Sequence, residues 1–302
     1  MTVSVPRFDA INFDHVTADM RAAYERDGIL VLENMVTGEA CQQLMDRMAA
    51  MVDAFDVNEH KTFFSSADQS HAKDDYFMSS GSEVRFFFEE DAFNEKGDLI
   101  KPKELSLNKA GHAMHDRDPV FDSFSRQKNF QTLANGLGLT DPLLLQSMYI
   151  FKQPNIGGEV FCHQDATYLW TEPQTCIGFW VALEDATLEN GCLQGIPGLH
   201  TEPLPRSLFR RTDGNASETI VFDDSPWPEE KRVPLEVKRG SVLAFSGQFP
   251  HLSAPNRSDK SRHAYTIHLI DREAEYPDFN WLQRKEGDPA KGFKPAESSL
   301  DT

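Results

Sequence analysis

Apolar residues follow two different spacings along this chain. Up to about residue 140 they recur three or four positions apart, the spacing of a helix that buries one face. The segment after Thr37, which we expect to cap the helix, is the clearest case, because Cys41, Leu44, Met48 and Val52 fall on one face. This part of the chain therefore predicts helices that pack on a core.

Weaker patterns give the other elements of the first 140 residues. They are a helix over 17–27, strands Ile29–Leu32 and Glu83–Glu90, and a helix that begins at Asp118-Pro119 and ends at Gly136 or Gly138. Residues 57–82 are polar without a period and predict a loop, whereas residues 98–117 show a mixed pattern.

After about residue 143 the pattern changes to short apolar or alternating runs bounded by turn residues. The runs are Leu143–Lys152, Val160–Leu169, Ile177–Leu183, Cys192–Ile196, Thr219–Phe222, Arg232–Val237, Ser241–Phe245, Leu252–Ala254 and His263–Ile270. Closely spaced short strands predict a β-sandwich or barrel, and a double-sheet, cupin-like jelly roll is the natural candidate. Residues 201–231 read as a polar lid or surface loop, and we expect the tail after Trp281 to fray.

We therefore predict one domain over residues 1–302, mainly β with flanking helices (α+β). The helical N-terminal part, about 1–140, packs on one sheet of the jelly roll. The jelly-roll core spans about 143–272 and is followed by a short C-terminal tail.

Charge and cysteine content limit the classes of partner and the compartment that we expect for this protein. The 302 residues carry 30 Lys and Arg against 48 Asp and Glu, a formal charge of −18. Such an acidic chain favours a small-molecule substrate over nucleic acid or an anionic membrane, and says nothing of oligomeric state. The four cysteines form no CxxC pair, and neither a signal peptide nor a run of 18 apolar residues is present. A cytoplasmic protein with reduced thiols is expected.

A possible metal site lies in the run that follows Gly157-Gly158. His163 and Asp165 are two positions apart, and such residues point to the same face of a strand. A third ligand on a late strand would complete the two-His, one-carboxylate triad of non-haem Fe(II) enzymes, and His251 fits.

Two further residues lie near His251 in the sequence. Arg262 opens the last predicted strand, and its planar guanidinium suits a carboxylate. Ser253 is two positions after His251 and adds a hydroxyl on the same face. His200 and Glu202 repeat the metal-ligand spacing, but they follow a turn, Ile196–Gly198, where residues two apart need not share a face.

Several motifs resemble those of a known family. They are Asp27–Glu33, Tyr76–Gly81, Arg85–Glu89, Gln146–Pro154, Gly157–Val160, His163–Ala166, Glu184–Leu193 and Ala264–Thr266. Over residues 24–282 the chain is similar to the phytanoyl-CoA dioxygenase family of Fe(II)/2-oxoglutarate oxygenases. The resemblance implies a double-stranded β-helix, meaning a jelly roll, with Fe(II) bound by His163, Asp165 and His251.

The same resemblance implies a binding site for the co-substrate 2-oxoglutarate. Arg262 matches the arginine that binds the distal carboxylate, and Ser253 the supporting hydroxyl. Lys109, Met148 and Trp180 match residues that line the co-substrate pocket. With O2, such a site hydroxylates an unactivated C–H bond and releases succinate and CO2.

The substrate is less defined by these motifs. Gln194 stands where many relatives have an apolar or aromatic residue, so we expect it to face the substrate. The chain shows no basic cluster for a CoA diphosphate. Two alternatives stay open: a cupin-type metalloenzyme that does not use 2-oxoglutarate, and a catalytically silent binding module of the same fold.

Overall fold

Two facing β-sheets form the body of the molecule. The computed structural model describes residues 4–57, 62–64, 75–212 and 216–293, so most of the predicted loop at 57–82 lies outside the described residues. The strands are β1 (Arg7–Asp9), β2 (Ile29–Glu33), β3 (Phe63–Phe64), β4 (Val84–Glu89), β5 (Leu107–His112), β6 (Pro142–Ile150), β7 (Val160–His163), β8 (Ile177–Ala182), β9 (Leu193–Gly195), β10 (Ser207–Arg211), β11 (Ser217–Val221), β12 (Val233–Pro234), β13 (Val242–Ser246), β14 (His251–Ser253), β15 (Ala264–Asp271) and β16 (Lys291–Gly292).

The larger sheet has the strand order β1-β2-β13-β8-β15-β6-β5-β4-β3, and β16 pairs with β6. The smaller sheet has the order β12-β9-β14-β7, while β10 and β11 form a separate hairpin. A cluster of buried side chains from both sheets fills the space between them, with Trp180 and Leu243 from the larger sheet and Leu193 from the smaller. This double-sheet arrangement confirms the predicted jelly roll.

The helices are α1 (Ala18–Asp27), α2 (Gly38–Ala54), α3 (Asp75–Met78), α4 (Met114–Arg117), α5 (Pro119–Ser125) and α6 (Lys128–Gly136). All except α3 cover the outer face of the larger sheet, whereas Phe77 and Met78 of α3 pack with Leu145 on the cavity side. Phe179 packs with the helices, whereas the next residue, Trp180, faces the smaller sheet, as strand alternation requires. No helix in the described ranges is both long and apolar enough to cross a membrane.

Helix boundaries follow local capping. The Thr37 hydroxyl accepts a hydrogen bond from the Ala40 N–H, as predicted for the start of α2. The helix predicted from Asp118 to Gly136 or Gly138 is instead two helices, α5 and α6. The extended backbone of Gln127 separates them, and α5 ends at Ser125 with Arg126 as its C-cap.

Three other expectations were wrong. The first 140 residues supply β1 to β5, of which β2 and β4 were predicted; β5 was missed because its sequence, LNKAGH, has no clear period. The 201–231 insertion contains the hairpin β10–β11, in which Leu208 pairs with Ile220. The tail does not fray before residue 293, because Lys291 and Gly292 in β16 pair with β6.

A buried ion-pair network joins this tail to the helices. The Asp116 carboxylate accepts hydrogen bonds from Arg126, at 2.6 Å, and from Arg284. The Asp116 side chain is 1% exposed and the two guanidinium groups are nearly as buried. Loss of the shared carboxylate would leave two buried cations without their common partner.

We predict that Asp116→Asn lowers the free energy of unfolding by about 3–5 kcal/mol, the usual cost of breaking a buried ion pair. Urea unfolding followed by circular dichroism measures the change. Asp14→Asn is the control, because the Asp14 side chain is 82% exposed, and its cost should stay within about 0.5 kcal/mol. Equal stability of Asp116→Asn and the parent protein would contradict the network's role.

Candidate functional site

Two histidines and one aspartate converge between the sheets. Antiparallel pairing of β7 with β14 places His163 directly opposite His251. The Asp165 Oδ1 atom lies 3.6 Å from His163 Nε2 and 3.8 Å from His251 Nε2. One ligand atom from each residue lies within 4.8 Å of the other two, so the three side chains are close enough to bind one metal ion.

The backbone fixes which ring nitrogen of each histidine faces the site. His163 Nδ1 lies 2.8 Å from the Phe161 carbonyl oxygen, and His251 Nδ1 lies 3.0 Å from the Phe249 carbonyl oxygen. Each Nδ1–H therefore donates to the backbone, which leaves the Nε2 lone pair for a metal. Burial lowers the pKa of His251 to about 4, so this imidazole is neutral and able to bind metal at pH 7.

Asp165 shares the site for a different reason from the one predicted. The strand predicted over Val160–Leu169 ends at His163, and Asp165 begins a single 3₁₀ turn. Gln164 between them keeps an extended backbone, so the alternation of side chains continues for one more step. The Gln164 side chain points away from His163 and Asp165. Its amide donates to the Gln248 carbonyl oxygen and accepts from the Arg206 backbone N–H, and these two bonds hold the turn in place.

His268 supports Asp165 and was missed from the sequence. Its Nε2 atom lies 3.0 Å from Asp165 Oδ2, the oxygen that does not face His163 and His251. Burial alone would raise the pKa of Asp165, but His268 and His251 hold it well below the usual range. Thr266 and His268 alternate with the apolar residues of β15, and this polar alternation was the signal available in the sequence.

Arg262 lies at one end of the cavity and is 1% exposed. Its Nε–H donates to the Gly191 carbonyl oxygen at 3.1 Å, and Nη2 lies 3.4 Å from the Ser253 hydroxyl oxygen. Among the described residues, Arg262 Nη1 and the nearby Trp180 Nε1 are buried without a hydrogen-bond partner. Two buried donors without acceptors indicate that this end of the cavity is built for an anion.

Two lysines share this basic end of the cavity. Lys109 and Lys152 are both buried, and burial lowers the pKa of each to about 7. Glu89, whose own pKa is raised by burial, opposes this shift for both lysines. Lys109 was expected here, whereas Lys152 was missed because it ends an apolar run, where a lysine is usually solvated.

A cavity of about 620 Å³ contains most of the predicted residues. His163, Asp165, His251, Arg262, Ser253, Lys109, Met148 and Trp180 all line it. Gln194 does not, because its strand neighbour Leu193 faces the cavity and successive side chains point to opposite faces. The expectation that Gln194 contacts a substrate is therefore wrong. His200 lies outside the cavity and packs against Gly28.

We predict that His268→Phe raises the dissociation constant for Mn²⁺ about 10–100-fold, the usual effect of losing a hydrogen bond to a metal ligand. Anaerobic calorimetric titration measures it. His268→Gln keeps an N–H donor and should lose less. The matched control is His263→Phe, since His263 is also partly buried but bonds Tyr149 instead. Metal binding by His268→Phe as tight as in the parent would contradict this role.

Comparison with known proteins extends these observations. Residues 24–264 match the family model described as phytanoyl-CoA dioxygenase (PhyH). A phytanoyl-CoA dioxygenase of Arabidopsis thaliana is 43% identical over 272 residues, covering 89% of this chain and 94% of that protein. Phytanoyl-CoA dioxygenase domain-containing protein 1 of Mus musculus is 44% identical over 268 residues, covering 86% and 92%.

Solved structures share the fold at lower identity. EctD from S. alaskensis, crystallised with 2-oxoglutarate and 5-hydroxyectoine, has a TM-score of 0.59 at 18% identity and covers 96% of this chain and 91% of its own. The epimerase SnoN, in complex with Fe3+, alpha ketoglutarate and nogalamycin RO, has a TM-score of 0.58 at 17% identity, covering 93% and 95%. Given the family match over most of its length, the chain belongs to the phytanoyl-CoA dioxygenase (PhyH) family.

Proposed function

We propose that this protein is an Fe(II)- and 2-oxoglutarate-dependent dioxygenase that hydroxylates an unactivated C–H bond of a small molecule. The observation that carries the proposal is the pairing of two features in one cavity. His163, Asp165 and His251 converge as a metal-binding triad, and Arg262 offers an unpaired buried donor at the basic end. The iron and 2-oxoglutarate in structures of the same fold support it.

The donor set fits ferrous iron. Two imidazoles and one carboxylate on one face leave the remaining positions open, which is typical of non-haem Fe(II) oxygenases. Bound iron, with O2 and 2-oxoglutarate, supplies the oxidising chemistry. In the overall reaction, R–H, 2-oxoglutarate and O2 give R–OH, succinate and CO2, with one oxygen atom in the alcohol and one in succinate.

The protein's own groups position the reactants. The Arg262 guanidinium pairs with the distal carboxylate of 2-oxoglutarate, and Ser253 and Trp180 border the same place. The Arg262 side chain is already held by the Gly191 carbonyl oxygen, so little rotamer freedom is lost on binding. The two sheets bury the reacting groups and limit access of water to them.

Turnover of 2-oxoglutarate tests the proposal. Protein supplied with Fe(II) and ascorbate should convert 2-oxoglutarate to succinate, and His163→Ala should abolish this by removing a metal ligand. Arg262→Lys should raise the KM for 2-oxoglutarate about 10–100-fold, because lysine lacks the planar fork of donors.

Matched variants control for nonspecific effects. His15→Ala removes a histidine whose side chain is 69% exposed, and Arg7→Lys changes a partly exposed arginine. Both should keep parental turnover. Undiminished turnover in His163→Ala would exclude the triad. Metal binding with no response to 2-oxoglutarate would favour a cupin-type enzyme of another kind, and loss of all turnover in the metal-loaded parent would favour a binding module.

The buried lysines give the site a pH dependence. Because Lys109 and Lys152 have pKa values of about 7, each loses its charge as the pH rises through neutrality. A dianionic co-substrate then binds less well, so the KM for 2-oxoglutarate should rise between about pH 6.5 and 8.5. If binding requires one protonated lysine, the KM should approach a tenfold increase per pH unit, and a second required proton would make the increase steeper. Steady-state kinetics across this range, with Lys109→Met expected to flatten the profile, measure the effect. A KM independent of pH would contradict it.

A further inference from the structure

Two polar side chains of the cavity wall have no hydrogen-bond partner within the described part of the chain. Gln146 is 4% exposed, and its amide faces the cavity. Tyr168 also lines the cavity, and its hydroxyl makes no hydrogen bond to the described residues. Both polar groups border the cavity, so a ligand that fills it must either pair with them or leave them unsatisfied.

Gln146 faces the cavity beside a β-bulge in the larger sheet. It pairs with His268, the residue that bonds Asp165, while Leu144 pairs with Leu269. Leu145 is therefore an extra residue in β6, which makes a β-bulge immediately before Gln146. Bulges commonly re-aim a side chain next to an active site.

Tyr168 approaches the same place from the smaller sheet. It follows the 3₁₀ turn that begins at Asp165, and its ring centroid is 6.0 Å from that of His163. A tyrosine phenol keeps its proton at neutral pH, so its hydroxyl can donate a hydrogen bond. Gln146 and Tyr168 thus flank the triad, one on the side of Asp165 and one on the side of His163.

The rest of this half of the cavity is mostly aromatic or apolar. Its walls include Phe77, Leu169, Phe209 and Trp281. Phe77 stacks on Trp281 at 4.4 Å, and Tyr168 contacts Phe209 at 5.8 Å between ring centroids. Such walls suit a compact apolar skeleton.

Arg206 is the one cation among the described residues of this half, and it is already engaged. Its guanidinium lies 3.6 Å from the Trp227 ring centroid and 3.3 Å from Asp223, and it also donates to the Ser225 carbonyl oxygen. The exposed Asp224 carboxylate also lines the cavity and would attract a cation, so a cationic probe is one arm of the experiment.

We propose that Gln146 and Tyr168 bind an uncharged hydrogen-bonding group of the substrate, such as a hydroxyl, carbonyl or carboxamide carried on a compact apolar skeleton. This inference rests on the proposed function, since it assigns this half of the cavity to the substrate and the basic end to 2-oxoglutarate. A site built around paired polar groups rejects an analogue that leaves them unpaired, so these two residues set specificity.

Three soluble probes on one ring skeleton test the proposal. They are cyclohexanecarboxamide, cyclohexanecarboxylate and cyclohexylmethylammonium. Ligand-observed NMR measures their dissociation constants with protein loaded with Zn²⁺ and 2-oxoglutarate, which prevents turnover. The carboxamide should bind at least about fivefold more tightly than either charged probe.

Single substitutions assign the preference to the two side chains. Gln146→Met keeps the shape and removes the amide, and Tyr168→Phe removes only the hydroxyl; each should weaken carboxamide binding about fivefold to tenfold. Gln43→Met, on the exposed face of α2, is the matched control and should not change it.

Four outcomes would overturn the proposal. They are tighter binding of the carboxylate or the ammonium, no measurable carboxamide binding to the parent, carboxamide affinity unchanged in both variants, and a loss in Gln146→Met that lies in 2-oxoglutarate affinity instead. Failure of the parent protein to bind 2-oxoglutarate, titrated without any probe, would instead count against the proposed function.

Discussion

The antiparallel pairing of β14 with β7 is the constraint on which the site depends. It sets His251 opposite His163, and a slip of one residue would turn His251 away from the cavity. A close contact on the other side of β14 holds this register. A Cβ atom added at Gly195, the partner of His251 in β9, would lie 2.2 Å from the Phe249 ring, so glycine is required there. The Phe249 ring therefore occupies the space that a side chain at position 195 would need, next to His251.

Charge is divided along the cavity. The basic end collects Lys109, Lys152 and Arg262, all buried and only partly compensated by Glu89. Burial lowers the pKa of Arg262 to about 10, a sign of how strongly desolvation acts there. An anion that enters this end relieves mutual repulsion among the cations, whereas the aromatic half gains nothing from it. Under the proposed function, this division of charge would direct 2-oxoglutarate to the basic end and the substrate to the aromatic half.

The sequence predicted the parts of this site that local patterns encode. The sequence alone indicated His163 and Asp165 by their spacing, and it also indicated the later His251 and Arg262, which precedes β15. The cavity brings all four residues together. Helices cover one face of the larger sheet, so its strands have nearly continuous apolar sequences. These runs made the strands easy to locate in the sequence. The short turn after β7 was harder to predict, because it depends on hydrogen bonds from Gln164 to residues far along the chain.

Other features depend on partners that no local window contains. β5 carries Lys109, yet its sequence has no period, because its stability comes from pairing with β4 and β6. The direction of Gln194 was misjudged because the phase of a three-residue strand is set by its neighbours. The role of His268 became visible only when Asp165, 103 residues earlier, was placed beside it.

The long distance along the chain between Asp165 and His268 affects how the protein folds during synthesis. β6 lies between β5 and β15 in the larger sheet, and β16 joins its edge from residues 291 and 292. During synthesis His163 and Asp165 therefore emerge well before His251 and His268. The cavity is complete only when the last strands have been made. Folds dominated by such distant pairings form slowly and expose unpaired strands meanwhile. One edge of β6 therefore stays unpaired from its synthesis until β15 has been made.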